Sequence, residues 1–305
     1  MKVSVIIPTY NGVKKITKVL KSLENQTVIP HEVIVVIDGS TDGTAELLKN
    51  NAFNLKQLKV IEQLNGGRSR VRNRGAKEAS NQLLIFLDDD MYASADFVNF
   101  HIRHHTKYHS TILTGGLKQR SNREYDEFSE FRSWLNERWS RSLIEKGSLL
   151  LTDKNYYLTA GNLSISKSLF NKLNGFDELL RDSEDFDLAT RAITIGTDLY
   201  FDTRAWAYHN ETITCKDYIK RIREYTRAQD FLSSQKPDLY AHKNKYKSMP
   251  PTGLKGIIFR CLCHTSWING VDKGLFVWLP KMIRYKLYDL IVTANGSFFP
   301  KKVII

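Results

Sequence analysis

The sequence predicts an α/β protein, a doubly wound and mostly parallel sheet followed by a C-terminal region of basic amphipathic helices. Short β-branched apolar runs recur at residues 3–7, 33–37, 58–61 and 83–87, with the length and composition of strands buried on both faces. Helical patterns fall between them, which is the alternation of a parallel sheet. Beyond Ile213 the pattern changes, and residues 213–305 hold 17 Lys+Arg against 6 Asp+Glu, nearly the whole of the chain's net charge of +12.

Pro8 closes the first run, and the following stretch sets Val13, Ile16, Val19, Leu20 and Leu23 on one helical face over residues 12–23. The second run ends at Asp38-Gly39, and an Asp42-Gly43 turn opens a helix over 41–50. A third helix, over about 69–79, separates the third and fourth runs. The resulting βαβαβαβ order is that of a doubly wound sheet. A chain of 305 residues can hold one large α/β domain with an appendage, since domains run to about 100–200 residues. We therefore expect a catalytic domain over 1–212 and a helical, membrane-associating region over 213–305.

Composition bounds the class. Hydrophobic residues at 42% and charged residues at 26% are ordinary for a globular chain, so disorder is not the expectation. Cys215, Cys261 and Cys263 are too few and too clustered for a disulfide framework, which points to a reducing compartment. The first ten residues read as a strand rather than a signal peptide, and no run of about 18 apolar residues suggests a spanning helix. These features give a cytoplasmic expectation, peripheral to a membrane.

In doubly wound sheets ligands bind beyond the carboxyl ends of the strands. There the chain places Pro8-Thr9-Tyr10-Asn11, Asp38-Gly39-Ser40 and Asp88-Asp89-Asp90. Carboxylates at a strand end can share a hard divalent cation that in turn holds the phosphates of a nucleotide diphosphate; an acidic turn is the plainer reading of the same residues. Asp38 sits where this fold presents an acid to a ribose or base. Gly66-Gly67 opens a helix carrying Arg68, Arg70, Arg72 and Arg74, of which Arg68 and Arg72 are expected to meet phosphate. Asp182-Ser183-Glu184-Asp185-Phe186-Asp187 precedes a helical run over 188–195. Carboxylates in a first turn stabilise a helix dipole, and one of them could instead act as general base. His209 follows a strand-like stretch and could either complete a metal's coordination or be structural.

Taken in order, the segments around residues 3–12, 35–44, 72–75 and 86–90 resemble the inverting glycosyltransferases of family 2, which have the GT-A fold. Ala160-Gly161-Asn162-Leu163-Ser164-Ile165, Gly175-Phe176-Asp177-Glu178 and Glu184-Asp185 resemble the acceptor-side half of galactosyltransferase and chondroitin-polymerase-like members. The resemblance covers roughly residues 3–210. It implies a nucleotide diphosphate-sugar donor, UDP-sugar first, and a glycan or lipid-linked acceptor. It further implies Mn²⁺ or Mg²⁺, held by Asp90 and His209. Pro8, Tyr10, Asp38, Arg68, Arg72, Asp88 and Asp89 would line the donor side. Asp185 would be the base, with Glu184 its neighbouring alternative. Many relatives carry Trp-Gly-Gly before Glu-Asp where this chain has Arg181-Asp182-Ser183.

In the tail, Pro280 suits a first helical position, and Ile283, Leu287, Leu290 and Ile291 fall on one face. That face, with Trp267, Phe276, Trp278 and Tyr285, is expected to lie in an anionic headgroup layer; packing on the catalytic domain is the other reading. His101, His104, His105 and His109 share helical spacing and are read as a surface face. A nucleotidyltransferase is the rival enzyme, but it would want a Gly-rich basic loop after the first strand. A nucleic-acid-binding protein would use the basic tail and leave the acidic rim unexplained, so no nucleic-acid partner is expected.

Overall fold

Val3–Thr9 (β1), Glu32–Asp38 (β2) and Leu83–Leu87 (β4) are buried along almost their whole length, because layers of helix cover both sides of the sheet they form. Alternate residues go to opposite layers. Val5, Ile7, Val33, Val35 and Ile85 meet Ile16, Val19, Leu20 and Leu23 of Ile16–Glu24 (α1) and Leu48 of Thr44–Asn50 (α2). Ile6, Ile34, Val36, Leu84 and Phe86 meet Val71 and Ala76 of Arg68–Glu78 (α3) on the other side. There Phe86 lies between Phe170 and Phe176, with ring centroids 5.3 Å from each.

These elements come from a computed structural model that describes residues 1–119, 127–146, 148–151, 158–209, 212–240 and 250–299. Part of the expected basic tail, residues 241–249 and 300–305, lies outside the described residues. The chain divides into two compact units, Met1–Arg120 with Ser140–Asn210 and Ser121–Trp139 with Glu211–Ile305. The second unit thus takes in residues 121–139 as well as the region beyond Ile213.

The first unit carries a nine-stranded sheet in the order β3-β2-β1-β4-β8-β6-β9-β5, with β7 paired to β9; the remaining strands are Leu58–Gln63 (β3), Met91–Ala93 (β5), Ile112–Gln119 (β6), Ser148–Leu151 (β7), Asn162–Ser166 (β8) and Leu199–His209 (β9). β1, β2, β3 and β4 are parallel, with Thr9 opposite Ile37 and Asp38 opposite Gln63. That register brings Thr9, Asp38 and Asp88 to one edge of the sheet. Between β1 and β4 the winding reverses direction, the switch point at which such sheets open a crevice. The second half is mixed: β8 runs antiparallel to β4, and β5 antiparallel to β9, so that Met91 faces His209. Phe97–Lys107 (α4), Lys167–Lys172 (α6) and Glu184–Thr194 (α7) complete the unit, while Glu127–Lys146 (α5) begins in the second unit and ends in the first.

Two expectations are corrected. His101, His104 and His105 are buried rather than a surface face, and His109 alone of that series is exposed. Their shared spacing marks the side of α4 turned to the sheet. His101 bonds Ser164 Oγ (2.8 Å) and Asn162 Oδ1 (3.1 Å), His105 bonds Ser164 Oγ (2.8 Å) and His104 bonds Thr111 Oγ1 (3.0 Å). Burial pushes His101 and His105 down to about 3 and His104 down to about 4, so all three are neutral.

The second correction concerns the tail. The second unit packs Cys215–Gln235 (α8), Pro237–Tyr240 (α9), Gly253–Leu262 (α10), Thr265–Asp272 (α11) and Lys281–Thr293 (α12) with the start of α5. On α12 the residues Tyr285, Tyr288, Ile291 and Val292 are buried, and Leu287 and Leu290 pack against the same cluster. Trp267 stacks on Phe276 at 5.8 Å beside that cluster. The apolar stripe expected to meet lipid is therefore this unit's own core, with Ile283 left outside. A 3.6-residue period marks a buried face without saying what buries it.

The three histidines make the fold acid-sensitive. Below their ordinary value of about 6.5 the unfolded chain binds protons that the folded chain refuses, so stability falls as pH drops from about 6.5 toward 4. The raised value of Asp185, described below, works in the opposite direction over the same window and offsets about one of the three protons. Chemical denaturation between pH 7 and 4.5 should show net loss of stability. His104→Gln, which can still bond Thr111, should flatten that slope by up to about 1.4 kcal/mol per pH unit. An unchanged slope would place the acid sensitivity elsewhere.

Candidate active site

At the carboxyl edge of the parallel strands, the loops after β1 and β2 are stitched together by backbone and short side chains. Asn11 N donates to Ser40 Oγ (2.9 Å), Thr41 N donates to Asn11 Oδ1 (3.0 Å), and Val13 N donates to Asp42 Oδ2 (3.0 Å). Asn11 takes a left-handed backbone at φ 50° to make this turn, a conformation asparagine tolerates better than most residues. Pro8, at the end of β1, is partly buried, and Tyr10 stands exposed beyond it on a held loop. Asp38 is buried. Its carboxylate accepts from Gly66 N (2.8 Å), Gly67 N (2.9 Å) and Gln63 Nε2 (2.8 Å), which fixes the loop leading into α3.

From that loop α3 delivers Arg72 to the centre of the site. Its guanidinium donates to Asp88 Oδ1 (2.6 Å), just beyond β4, and to Glu184 Oε1 (2.7 Å), at the start of α7. Arg72 and Glu184 are both buried, whereas Asp88 is partly open. Burial alone would lower the guanidinium's value, but Asp88 and Glu184 more than offset it, and the group is held protonated. Arg68, one turn earlier and half exposed, reaches Asp182 Oδ2 at 3.0 Å. Arg70 and Arg74 pair instead with Glu178 and Glu78. Thus, of the four arginines, Arg68 and Arg72 reach the acidic segment at the entry to α7.

Asp185 accepts from Phe186 N (2.7 Å) and from Ala160 N (3.3 Å), beside the turn that opens β8. Burial first, and then its neighbour Glu184, push the Asp185 carboxyl up to about 7. Two adjacent carboxylates are thereby separated in character: Glu184 is committed to Arg72, and Asp185 is poised near neutrality. Gly161 is needed here, since an added Cβ would lie 2.6 Å from Asp88 Oδ2.

The acidic triplet splits three ways. Asp88 faces Arg72. Asp89 turns under the rim and is nearly buried, accepting from Thr9 Oγ1 (2.6 Å) and Lys15 Nζ (3.3 Å); the structure thus gives it a bracing contact between β1 and the rim. Asp90 Oδ1 lies 3.5 Å from His209 Nε2, a juxtaposition set by the Met91–His209 pairing of β5 with β9. Carboxylate oxygen and imidazole nitrogen together suit Mn²⁺ and, less well, Mg²⁺. Among the described residues no three such side chains converge on one point. Reading along the chain missed Lys15. Burial pulls its value down, but Asp89, Asp90 and Asp88 outweigh that and raise it, so a firm positive charge stands beside the acidic rim. In the turn before α1 of an already basic chain, nothing in the spacing singles it out.

A parallel half-sheet with an acidic rim at its switch point, continued by a mixed half that brings a second acidic segment to the same rim, defines a glycosyltransferase of the GT-A type. Residues 4–173, more than half the chain, match the model of Glycosyl transferase family 2, and the chain belongs to that family. Poly(ribitol-phosphate) beta-N-acetylglucosaminyltransferase TarS of Staphylococcus aureus is 36% identical over 122 residues, 39% of this chain and 21% of that relative. The chain thus matches about a fifth of that relative's length. The solved structure of S. aureus TarS 1–349 in complex with UDP is similar over 100% of this chain and 93% of that one (TM-score 0.55, 21% identity). The mannosyltransferase PcManGT of Pyrobaculum calidifontis, solved with GDP-Man and Mn²⁺, is similar over 99% of this chain and 88% of that one (TM-score 0.65, 17% identity).

Removing one partner of a buried ion pair leaves the others uncompensated, at a typical cost of about 3–5 kcal/mol. Arg72→Met, which keeps the stem and deletes the charge, should lose stability of that order in urea unfolding. Arg68→Met, at a half-exposed pair, should lose about 1 kcal/mol or less. Equal effects would show that the Arg72 bridge is not the structural centre of the site.

Proposed function

We propose that the protein transfers a sugar from a nucleotide diphosphate-sugar, UDP-sugar first, to a hydroxyl of a glycan or lipid-linked acceptor, with inversion at the sugar carbon and with Mn²⁺ or Mg²⁺. The observation that carries this reading is Asp185. It is a carboxyl raised toward neutrality and remote in sequence from the Asp88 segment, yet on the same rim and joined to it through Arg72 and Glu184.

In the proposed reaction the acceptor oxygen bonds to the anomeric carbon as the bond from that carbon to the diphosphate oxygen breaks. The bonding pair leaves with the diphosphate, and Asp185 takes the hydroxyl proton. A value near 7 suits a base working at neutral pH, basic enough to accept the proton and still about half ionised. Arg72 holds Asp88 in place on the donor side. Tyr10 and the Pro8 turn would border the nucleoside, and Asp38 would act there by fixing the loop before α3. Asp90 and His209 would hold the cation, which when bound supplies positive charge to the departing diphosphate. Lys15 adds a protein cation on the same side. The neighbours support a nucleotide-sugar donor without agreeing on the base, since TarS is solved with UDP and UDP-GlcNAc and PcManGT with GDP-Man. We further propose a cytoplasmic place of action, in keeping with three free cysteines.

A screen of UDP-, GDP- and dTDP-sugars with Mn²⁺ should identify the donor, and NMR coupling constants of the product should show the inverted anomer; a retained configuration rejects the mechanism. Asp185→Asn should cut the rate by about 10²–10⁴ with donor affinity near wild type. In the wild type, kcat/KM should rise with pH through about 7 as Asp185 loses its proton, then level off. A rate independent of pH between 6 and 8 would remove Asp185 from the role. Asp90→Ala should abolish transfer and weaken nucleotide diphosphate binding in Mn²⁺; full activity in excess EDTA would exclude the cation.

A further inference from the structure

Among the described residues, eight of the sixteen exposed large hydrophobics fall between Leu254 and Ile283, a tenth of the chain. With Ile258 and Val277 beside them, six of these form two sets in the second unit. On α10, Leu254 and Ile257 stand outward while Gly256, Phe259 and Leu262 of the same helix turn into the core. Leu275, Trp278, Met282 and Ile283 form the other set, on the connection from α11 and the first turn of α12. Folding explains none of these exposures, because the opposite faces already close the core. Scattered apolar residues need no explanation, but a cluster of this kind marks a surface that meets something.

The cluster is also held in shape. Arg284 donates to the carbonyls of Val277 (2.8 Å) and Leu279 (3.0 Å) and is itself gripped by Glu127 Oε1 (2.6 Å). The turn carrying Trp278, 77% exposed, is therefore fixed. Phe276, next to it in sequence, is drawn inward onto Trp267 and Tyr288, so outward and inward aromatics alternate by construction.

Charge identifies the occupant. Residues 253–286 carry Lys255, Arg260, Lys273, Lys281, Arg284 and Lys286 against one acid, Asp272. Both oxygens of Asp272 accept the first amides of α8, from Cys215 N (2.6 Å) and Lys216 N (3.2 Å). Apolar side chains led by an exposed tryptophan and set among lysines that outnumber the acids, with Lys281 4.0 Å from Glu130 of α5, match an interface of acyl chains beneath anionic headgroups. We propose that the Leu254–Ile283 surface docks the second unit on an anionic lipid bilayer, with Trp278, Met282 and Ile283 entering the interface. No helix of the described residues is long and apolar enough to cross a membrane; the contact lies in the plane of the surface. This assigns the contact to side chains other than the buried stripe of α12 and does not depend on the sugar-transfer reading.

The test is co-sedimentation of the full chain with vesicles of phosphatidylcholine alone and with a third phosphatidylglycerol. Wild type should bind the anionic vesicles at least about tenfold better than the neutral ones, with the preference falling as salt is raised. Trp278→Ser/Met282→Ser/Ile283→Ser should lower binding at least about tenfold, since each change withdraws apolar area from the lipid. Lys255→Glu/Lys273→Glu should remove the anionic preference. Melting followed by circular dichroism should leave both variants folded near wild type. Binding equal on both vesicles, or unaltered by the triple substitution, overturns the proposal. So does a dimer in sedimentation velocity that the triple substitution dissolves without lipid binding in the wild type, which would give the surface to a second copy of the chain.

Discussion

The candidate site depends on one buried cation. Arg72 takes a guanidinium out of water, a transfer that is tolerable only if its donors are met and its charge balanced. Asp88 and Glu184 balance the charge and accept from its two terminal nitrogens, leaving Nε buried without a partner. Because one ligand follows a parallel strand of the first half and the other starts a helix of the second half, the ion pair holds together parts of the chain 112 residues apart. Backbone approach makes it possible. Three residues after Arg72, Gly75 lets α3 press onto the sheet so closely that an added Cβ would stand 2.4 Å from Ile6 Cγ2. The guanidinium also lies 5.9 Å from the Phe176 ring centroid, so its unbonded face has an aromatic neighbour.

That arrangement separates the roles of Glu184 and Asp185 without any difference in their chemistry. Glu184 is neutralised in place by Arg72. Asp185 has burial and the negative Glu184 beside it, and only two backbone amides and a more remote Arg72 to stabilise its charge. The like-charge neighbour and the desolvation act together to raise the Asp185 carboxyl. Ser183, at a left-handed φ of 63° and buried just before them, sets the abrupt entry into α7 that points successive carboxylates in different directions.

The parallel half was legible because its strands are covered on both faces and so show as unbroken apolar runs, each ending in a turn at the same edge. The second half was less so. The strands β5 to β8 pair across long sequence separations and owe their burial to partners rather than to a local period. Asn162 illustrates this: its side chain donates to the carbonyls of Gly116 (3.2 Å) and Ala205 (2.9 Å) and accepts near His101, a junction of three segments that no spacing announces. In the site, residue types at strand ends were legible, but what they touch was not. Asp38 holds a loop and Asp89 braces β1, because a carboxylate at a strand end can face either the ligand or the chain.

The helical faces pose the same ambiguity in a sharper form. His101, His104 and His105 look like a polar face and are buried, since each finds a hydroxyl or amide and burial then keeps the imidazole neutral. The stripe on α12 looks like a lipid face and is buried too, since the second unit must assemble its core from short helices with aromatic side chains. Periodicity reports that one side of a helix differs from the other; only the partner decides which side faces in. Once α12 gives Tyr285, Tyr288 and Ile291 to that core, Ile283 and Met282 at its first turn are left exposed with Trp278. Their exposure is a cost to solubility that the core does not require, and the lysines around them set the chemistry of whatever surface relieves it.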